Sequence, residues 1–128
     1  MFKLSESSKK NREGVDQRLI DISDLALQIS VVDFGHPKDS GIRTPERQNE
    51  LYEAGKSKCD GYKLKSYHQT GKALDFYAFV DGRASWNTEH LAMVGAAFLQ
   101  AANQLGYKLE WGGLWKSFKD YPHVQLVD

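Results

Sequence analysis

Residues 66–80 read SYHQTGKALDFYAFV, and the second half, residues 73–80, is the most apolar strand-like run in the chain. Its aromatic and aliphatic content predicts a strand that ends at the turn pair Asp81-Gly82. Alternation puts Asp75 on one face with Ala73, Tyr77 and Phe79, and leaves Leu74, Phe76, Ala78 and Val80 on the other. A carboxylate among such neighbours is costly unless a cation or several donors compensate it. Arginine or backbone amides usually meet that need, and a divalent metal is the other solution. His68 lies seven residues before Asp75, and Gly71 lets the chain turn sharply enough for both side chains to converge.

Outward from this strand, Val15, Leu19, Ile22, Ala26 and Ile29 fall at helical spacing and predict a first helix over residues 15–29. The β-branched run 29–34 (ISVVDF) reads as a strand, followed by turns at Gly35-His-Pro37 and Asp39-Ser-Gly41. Thr44 can cap a second helix with Pro45 in its first position, and that helix should stop near Ala54-Gly55. Residues 55–67 (GKSKCDGYKLKSY) lack apolar periodicity and predict a loop. A third helix runs from a cap at Asn87 through Leu91, Val94, Phe98, Ala101 and Leu105 to Gly106. Short strands follow around residues 107–111 and 123–127. The order is α+β, without repeats or low-complexity segments.

The 128 residues match the size of one domain, so we expect a single domain over residues 1–128. Seventeen lysines and arginines balance 17 aspartates and glutamates, which argues against nucleic acid as a partner. Cys59 is the only cysteine, so no internal disulfide or multi-cysteine zinc knuckle can form, and any metal must be held by histidine and carboxylate. The N-terminal MFKLSESSKKNREGVD has no apolar core for a secretory signal. No stretch approaches the roughly 20 apolar residues of a membrane span. We therefore expect synthesis in the cytoplasm without a signal peptide, no stable membrane insertion and a monomer.

His123 follows Pro122, which biases the preceding residue toward an extended entry into the last strand. With His68 and Asp75 it would make a set of two imidazoles and one carboxylate. Such a set leaves zinc an open position for water, the catalytic rather than the structural pattern. Asp120, three residues before His123, stands where a general base belongs. Arg43, at a strand-to-helix junction, suits either a carbonyl oxygen gaining charge or a substrate carboxylate.

These residues resemble a known family. SYHQTGKALD (66–75) is similar to the S-x-H-x-x-G-x-A-x-D signature of zinc peptidases that include D-alanyl-D-alanine carboxypeptidases and phage L-alanyl-D-glutamate endopeptidases. Asp120-Tyr-Pro-His123 resembles the second signature in its endolysin form. SGIRTPERQ (40–48), continuing to Leu51-Tyr52, is similar to the segment that carries that branch's active-site arginine and glutamine. The resemblance spans roughly residues 12 to 127 and includes an EWGG segment at 110–113. It implies a Hedgehog/DD-peptidase-like fold, a small antiparallel sheet flanked by about three helices. It further implies Zn2+ held by His68, Asp75 and His123, with Asp120 as catalytic base and Arg43 steadying the oxyanion. Gln48, Ser66 and Trp115 are assigned to substrate contact.

Of the other notable residues, His36 and His90 read as surface histidines, with His36 nearer the site, and Cys59 as a cysteine without a histidine partner. Lysines 56, 58, 63 and 65 read either as a solvated loop or as an attraction for anionic wall polymer. Trp111, Trp115 and Tyr121 offer rings to a peptide groove, although Trp111 equally suits the core.

The function expected is an endolysin, a single catalytic domain over residues 1–128 with no separate wall-binding domain, that cuts the peptidoglycan stem peptide between L-alanine and D-glutamate and reaches the wall after holin-mediated release. One alternative is removal of terminal D-alanine on the same fold. The other is a zinc-stabilised binding module without catalysis, against which Asp120 and Arg43 argue.

Overall fold

Phe76 divides the apolar run that the sequence reads as one strand. The computed structural model describes residues 2–127 and splits this run into β2 (Ala73–Asp75) and β3 (Tyr77–Val80), which join different sheets. Ahead of them come α1 (Glu6–Asn11), α2 (Gln17–Ile29), β1 (Asp33–Gly35) and α3 (Pro45–Glu53). After them come β4 (Arg83–Ser85), α4 (Thr88–Leu105), β5 (Leu109–Trp111) and β6 (His123–Leu126). One antiparallel sheet has the order β1-β3-β4, and the other β2-β6-β5. At the junction the Phe76 amide donates to the Pro122 carbonyl (2.8 Å), while its ring is fully buried and stacks on Phe98 at 5.1 Å. Alternation survives the split, since Leu74, Phe76 and Ala78 all point into the core with no exposed surface.

The core is the seam between α2 and α4 and the inner faces of both sheets. Leu19, Ile22 and Ala26 of α2 meet Val94, Phe98 and Ala101 of α4, all at 0% exposure. Each large apolar side chain buried in this way contributes on the order of 2 kcal/mol. Thr44 caps α3 through the Arg47 amide (3.1 Å) with Pro45 in the first turn, and Gly106 ends α4 in a left-handed conformation, as the sequence predicts.

Three local expectations need correction. The first helix keeps Ile29 and closes on Ser30, so the strand expected over 29–34 shrinks to Asp33–Gly35. Val31 lies 76% exposed in the connection, where β-branched character has no partner strand to serve. Helix α1 is one the sequence does not announce, because its only buried residue is Ser8 and it has no apolar stripe. Strand β4 is likewise silent. It exists because Asp81 (φ 54°) and Gly82 (φ 78°) form a two-residue hairpin turn that folds Arg83–Ser85 back on β3.

Candidate metal centre

The pairing of β2 with β6 places Asp75 opposite His123, although 48 residues separate them in the chain. His68 arrives from a 3-10 turn, Tyr67–Thr70, immediately before β2. Ser66 caps that turn: its hydroxyl accepts from the His68 amide (3.2 Å), and its own amide donates to Gln69 Oε1 (2.8 Å). Gly71 closes the turn at φ 72°, a conformation that a side chain would strain.

These elements bring His68, Asp75 and His123 together so that one ligand atom from each lies within 4.8 Å of the others. Asp75 Oδ1 stands 3.0 Å from His123 Nδ1 and 3.4 Å from His68 Nε2. Burial by itself would push the Asp75 carboxyl up, but the His68 and His123 imidazoles outweigh it and hold the group well below the usual carboxylate range. On His123 burial acts downward and is outweighed by Asp75, so the ring binds its proton more tightly than a free imidazole.

The donor set fits zinc on chemical grounds: two nitrogens and one carboxylate oxygen at a common point, with no thiolate. A second observation supports the fit. His68 Nδ1 lies 2.9 Å from the Gly41 carbonyl, which can only accept, so Nδ1 carries the proton and the Nε2 lone pair faces the cluster.

Arg43 reaches the same carboxylate from the other side. Its Nη2 donates to Asp75 Oδ2 (3.2 Å), its Nη1 to Gln48 Oε1 (3.1 Å) and its Nε to the Asp39 carbonyl (2.9 Å). The arginine that commonly balances a buried aspartate is therefore present alongside the imidazoles. These bonds use three of the five guanidinium N–H groups and leave two without a partner among the described residues.

One substrate assignment changes. Gln48 has no exposed surface, and its amide is spent on Arg43, on the Ser57 hydroxyl and on the Cys59 carbonyl (2.8 Å each for the last two). It holds Arg43 and cannot touch a substrate. The Ser66 hydroxyl accepts from the turn it caps and so helps to place His68. Trp115 does stand at the site, its ring 5.5 Å from that of His123, whereas Trp111 is buried and donates to the Tyr121 carbonyl (2.7 Å).

Asp120 Oδ2 is 3.9 Å from His123 Nδ1, and its side chain is 48% exposed. Partial withdrawal from water raises its carboxyl above the ordinary value; His123 opposes this and the Asp75 charge adds to it. That direction suits a group that must accept a proton and return it. Gly112 makes the position possible, because a Cβ there would collide with the Asp120 backbone.

His36 is not the surface residue that its Gly-His-Pro setting suggests. It is 1% exposed, with Nδ1 2.7 Å from the Asp75 carbonyl and Nε2 2.8 Å from the Ser23 hydroxyl. Burial lowers its pKa to about 4, so the ring is neutral and braces the β2–β3 junction. His90 is partly exposed and bonded to Ser85 (2.7 Å). Burial pushes the Cys59 thiol up, away from nucleophilic use. In the lysine-rich loop, Lys58 Nζ sits 3.4 Å from the centre of the Phe118 ring and so joins the two loops that border the site. Gln125, passed over in the sequence, has Oε1 2.9 Å from His123 Nε2. Its place two residues after a histidine on a strand was the available signal.

A family model described as phage L-alanyl-D-glutamate peptidase matches residues 1–127. The L-alanyl-D-glutamate peptidase of Escherichia phage T5 is 35% identical, with 98% of each chain covered. The peptidoglycan L-alanyl-D-glutamate endopeptidase CwlK of Bacillus subtilis (strain 168) is 35% identical over 68% of this chain and 58% of its own length. Among solved structures, the Serratia marcescens L-Ala D-Glu endopeptidase ChiX superposes with a TM-score of 0.85 at 37% identity, covering 98% of this chain and 90% of that one. Among the described residues no helix is long and apolar enough to cross a membrane.

Proposed function

The chain belongs to the phage L-alanyl-D-glutamate peptidase family, and on that premise we propose that it is a zinc peptidase cutting the L-alanyl-D-glutamate bond of the peptidoglycan stem. The observation that carries this reading is the convergence of His68, Asp75 and His123 on one point with the half-exposed Asp120 carboxyl beside them. Bound by those three residues, zinc would supply Lewis-acid chemistry, acidifying water and polarising the scissile carbonyl.

The chain's own groups do the rest. Asp120 takes a proton from the attacking water as its oxygen bonds to the carbonyl carbon. It returns that proton to the amine of D-glutamate as the C–N bond breaks. The two unengaged N–H groups of Arg43 are suited to the carbonyl oxygen as charge gathers on it, while Gln48 and Asp39 keep the guanidinium from turning away. Trp115 lines the approach beside His123. We further propose that one catalytic domain acts as a monomer on the wall, reached through a holin pore.

Mass spectrometry of digested muropeptides tests this. New N-terminal D-glutamate, lost on chelation and restored by zinc, is the expected result. Loss of a single alanine would point to a carboxypeptidase instead, and intact muropeptides would point to a binding module.

A further inference from the structure

Along β6, side chains alternate, so His123 and Gln125 project from the same face. Glu110 of β5 stands directly opposite Gln125 in the register of the two strands. Gln125 Nε2 donates to Glu110 Oε1 at 3.3 Å, and Gln125 Oε1 lies 2.9 Å from His123 Nε2. A carboxylate only accepts, so Glu110 turns the NH2 end of the amide toward itself and the oxygen toward the imidazole. An amide oxygen also only accepts, and Nε2 must therefore carry a proton. The edge left to face Asp75, His68 and Asp120 is Nδ1.

We propose that Gln125, oriented by Glu110, is a positioning residue that makes His123 present Nδ1, and not Nε2, to the metal; this rests on the zinc reading above. The two imidazoles are anchored differently. His68 is held by the Gly41 carbonyl, which no side-chain substitution removes, whereas His123 is held by a side chain that can be exchanged. The pair also gives the glutamate of the EWGG segment a role, since Glu110 is exposed and touches no group of the metal cluster itself.

The test uses zinc affinity, measured by competition with a chelator of known strength, on the wild type and on Gln125→Leu, Gln125→Glu and Glu110→Ala. Loss of a second-sphere partner commonly weakens zinc binding on the order of 10- to 100-fold, which is the loss expected of Gln125→Leu. Gln125→Glu keeps an acceptor for Nε2–H and should bind within a few-fold of the wild type. Glu110→Ala frees the amide to flip and should give a smaller loss of a few-fold; being an exposed substitution, it also serves if Gln125→Leu does not fold. Nitrogen-15 NMR of the zinc-loaded protein should show His123 ligated through Nδ1 and protonated at Nε2, with that signature lost or mixed in Gln125→Leu. Folded Gln125→Leu and Glu110→Ala proteins that both bind zinc within twofold of the wild type, with His123 still ligated through Nδ1, would overturn the proposal. A wild type that takes up no zinc would instead overturn the zinc reading, and this proposal with it.

Discussion

Asp120 and His36 show how differently two polar side chains near one centre can be employed. Asp120 is half-exposed, so its removal leaves the core and the three clustered residues untouched. Asp120→Ala should keep the fold and bind zinc while lowering muropeptide release by about a hundred- to ten-thousand-fold, the usual contribution of a positioned acid-base group. Unchanged release, with zinc content verified by elemental analysis, would reject the assigned base. His36 instead satisfies the Ser23 hydroxyl and the Asp75 carbonyl inside the protein. His36→Phe fits the aromatic surroundings of Phe34 and Phe98 but orphans both groups. It should cost roughly 2–3 kcal/mol in urea denaturation. The meeting of His68, Asp75, Asp120 and His123 was legible because short motifs carry it. The burial of His36 and Gln48 was not, because nothing in Gly-His-Pro or in an amphipathic helix says which distant hydroxyl or guanidinium will close over the residue.

Asp16, at the N-terminus of α2, links that helix to the turn that delivers His68. Its carboxyl accepts from the Arg18 amide (2.9 Å), pairs with the Arg18 guanidinium and meets Lys72 Nζ at 2.8 Å, just ahead of β2. Hydrogen bonds from Arg18, then Lys72, hold it well below the usual carboxylate range. A depressed carboxylate stabilises the fold above its unfolded value, roughly pH 4, and that gain is lost as pH falls through the folded value. Asp16→Asn keeps a competent cap and loses the ion pairs. It should lower stability by about 1 kcal/mol at pH 7, with the gap to wild type closing below about pH 4 in melting curves. A gap constant across that range would mean that the charge contributes nothing. At this scale α2, α3 and α4 are readable from periodicity and capping residues. The division at Phe76 is not, because a run can alternate without interruption while changing its partner strands.

Across the whole molecule, the candidate centre joins a 3-10 turn, the end of the edge strand β2 and the start of β6, and so ties the middle of the chain to its last strand through three side chains. A ligand bound only by the folded chain stabilises it by mass action, so zinc at a hundredfold its dissociation constant should add about 2.7 kcal/mol. The melting temperature should therefore climb with zinc and fall with chelator; a melting curve indifferent to both would exclude a resident ion at this place. The α+β class and the order of the larger elements were open to sequence reading, whereas α1 and β4 were not. The two separate sheets were not, since pairing partners are fixed by long-range packing. The facing of Asp75 and His123 across β2 and β6 has one more consequence. A slip of a single residue in that ladder would throw one chelating group to the opposite side of the sheet. Only a correctly aligned chain can then bring the three groups to one point, so capture of a metal there would report on strand alignment.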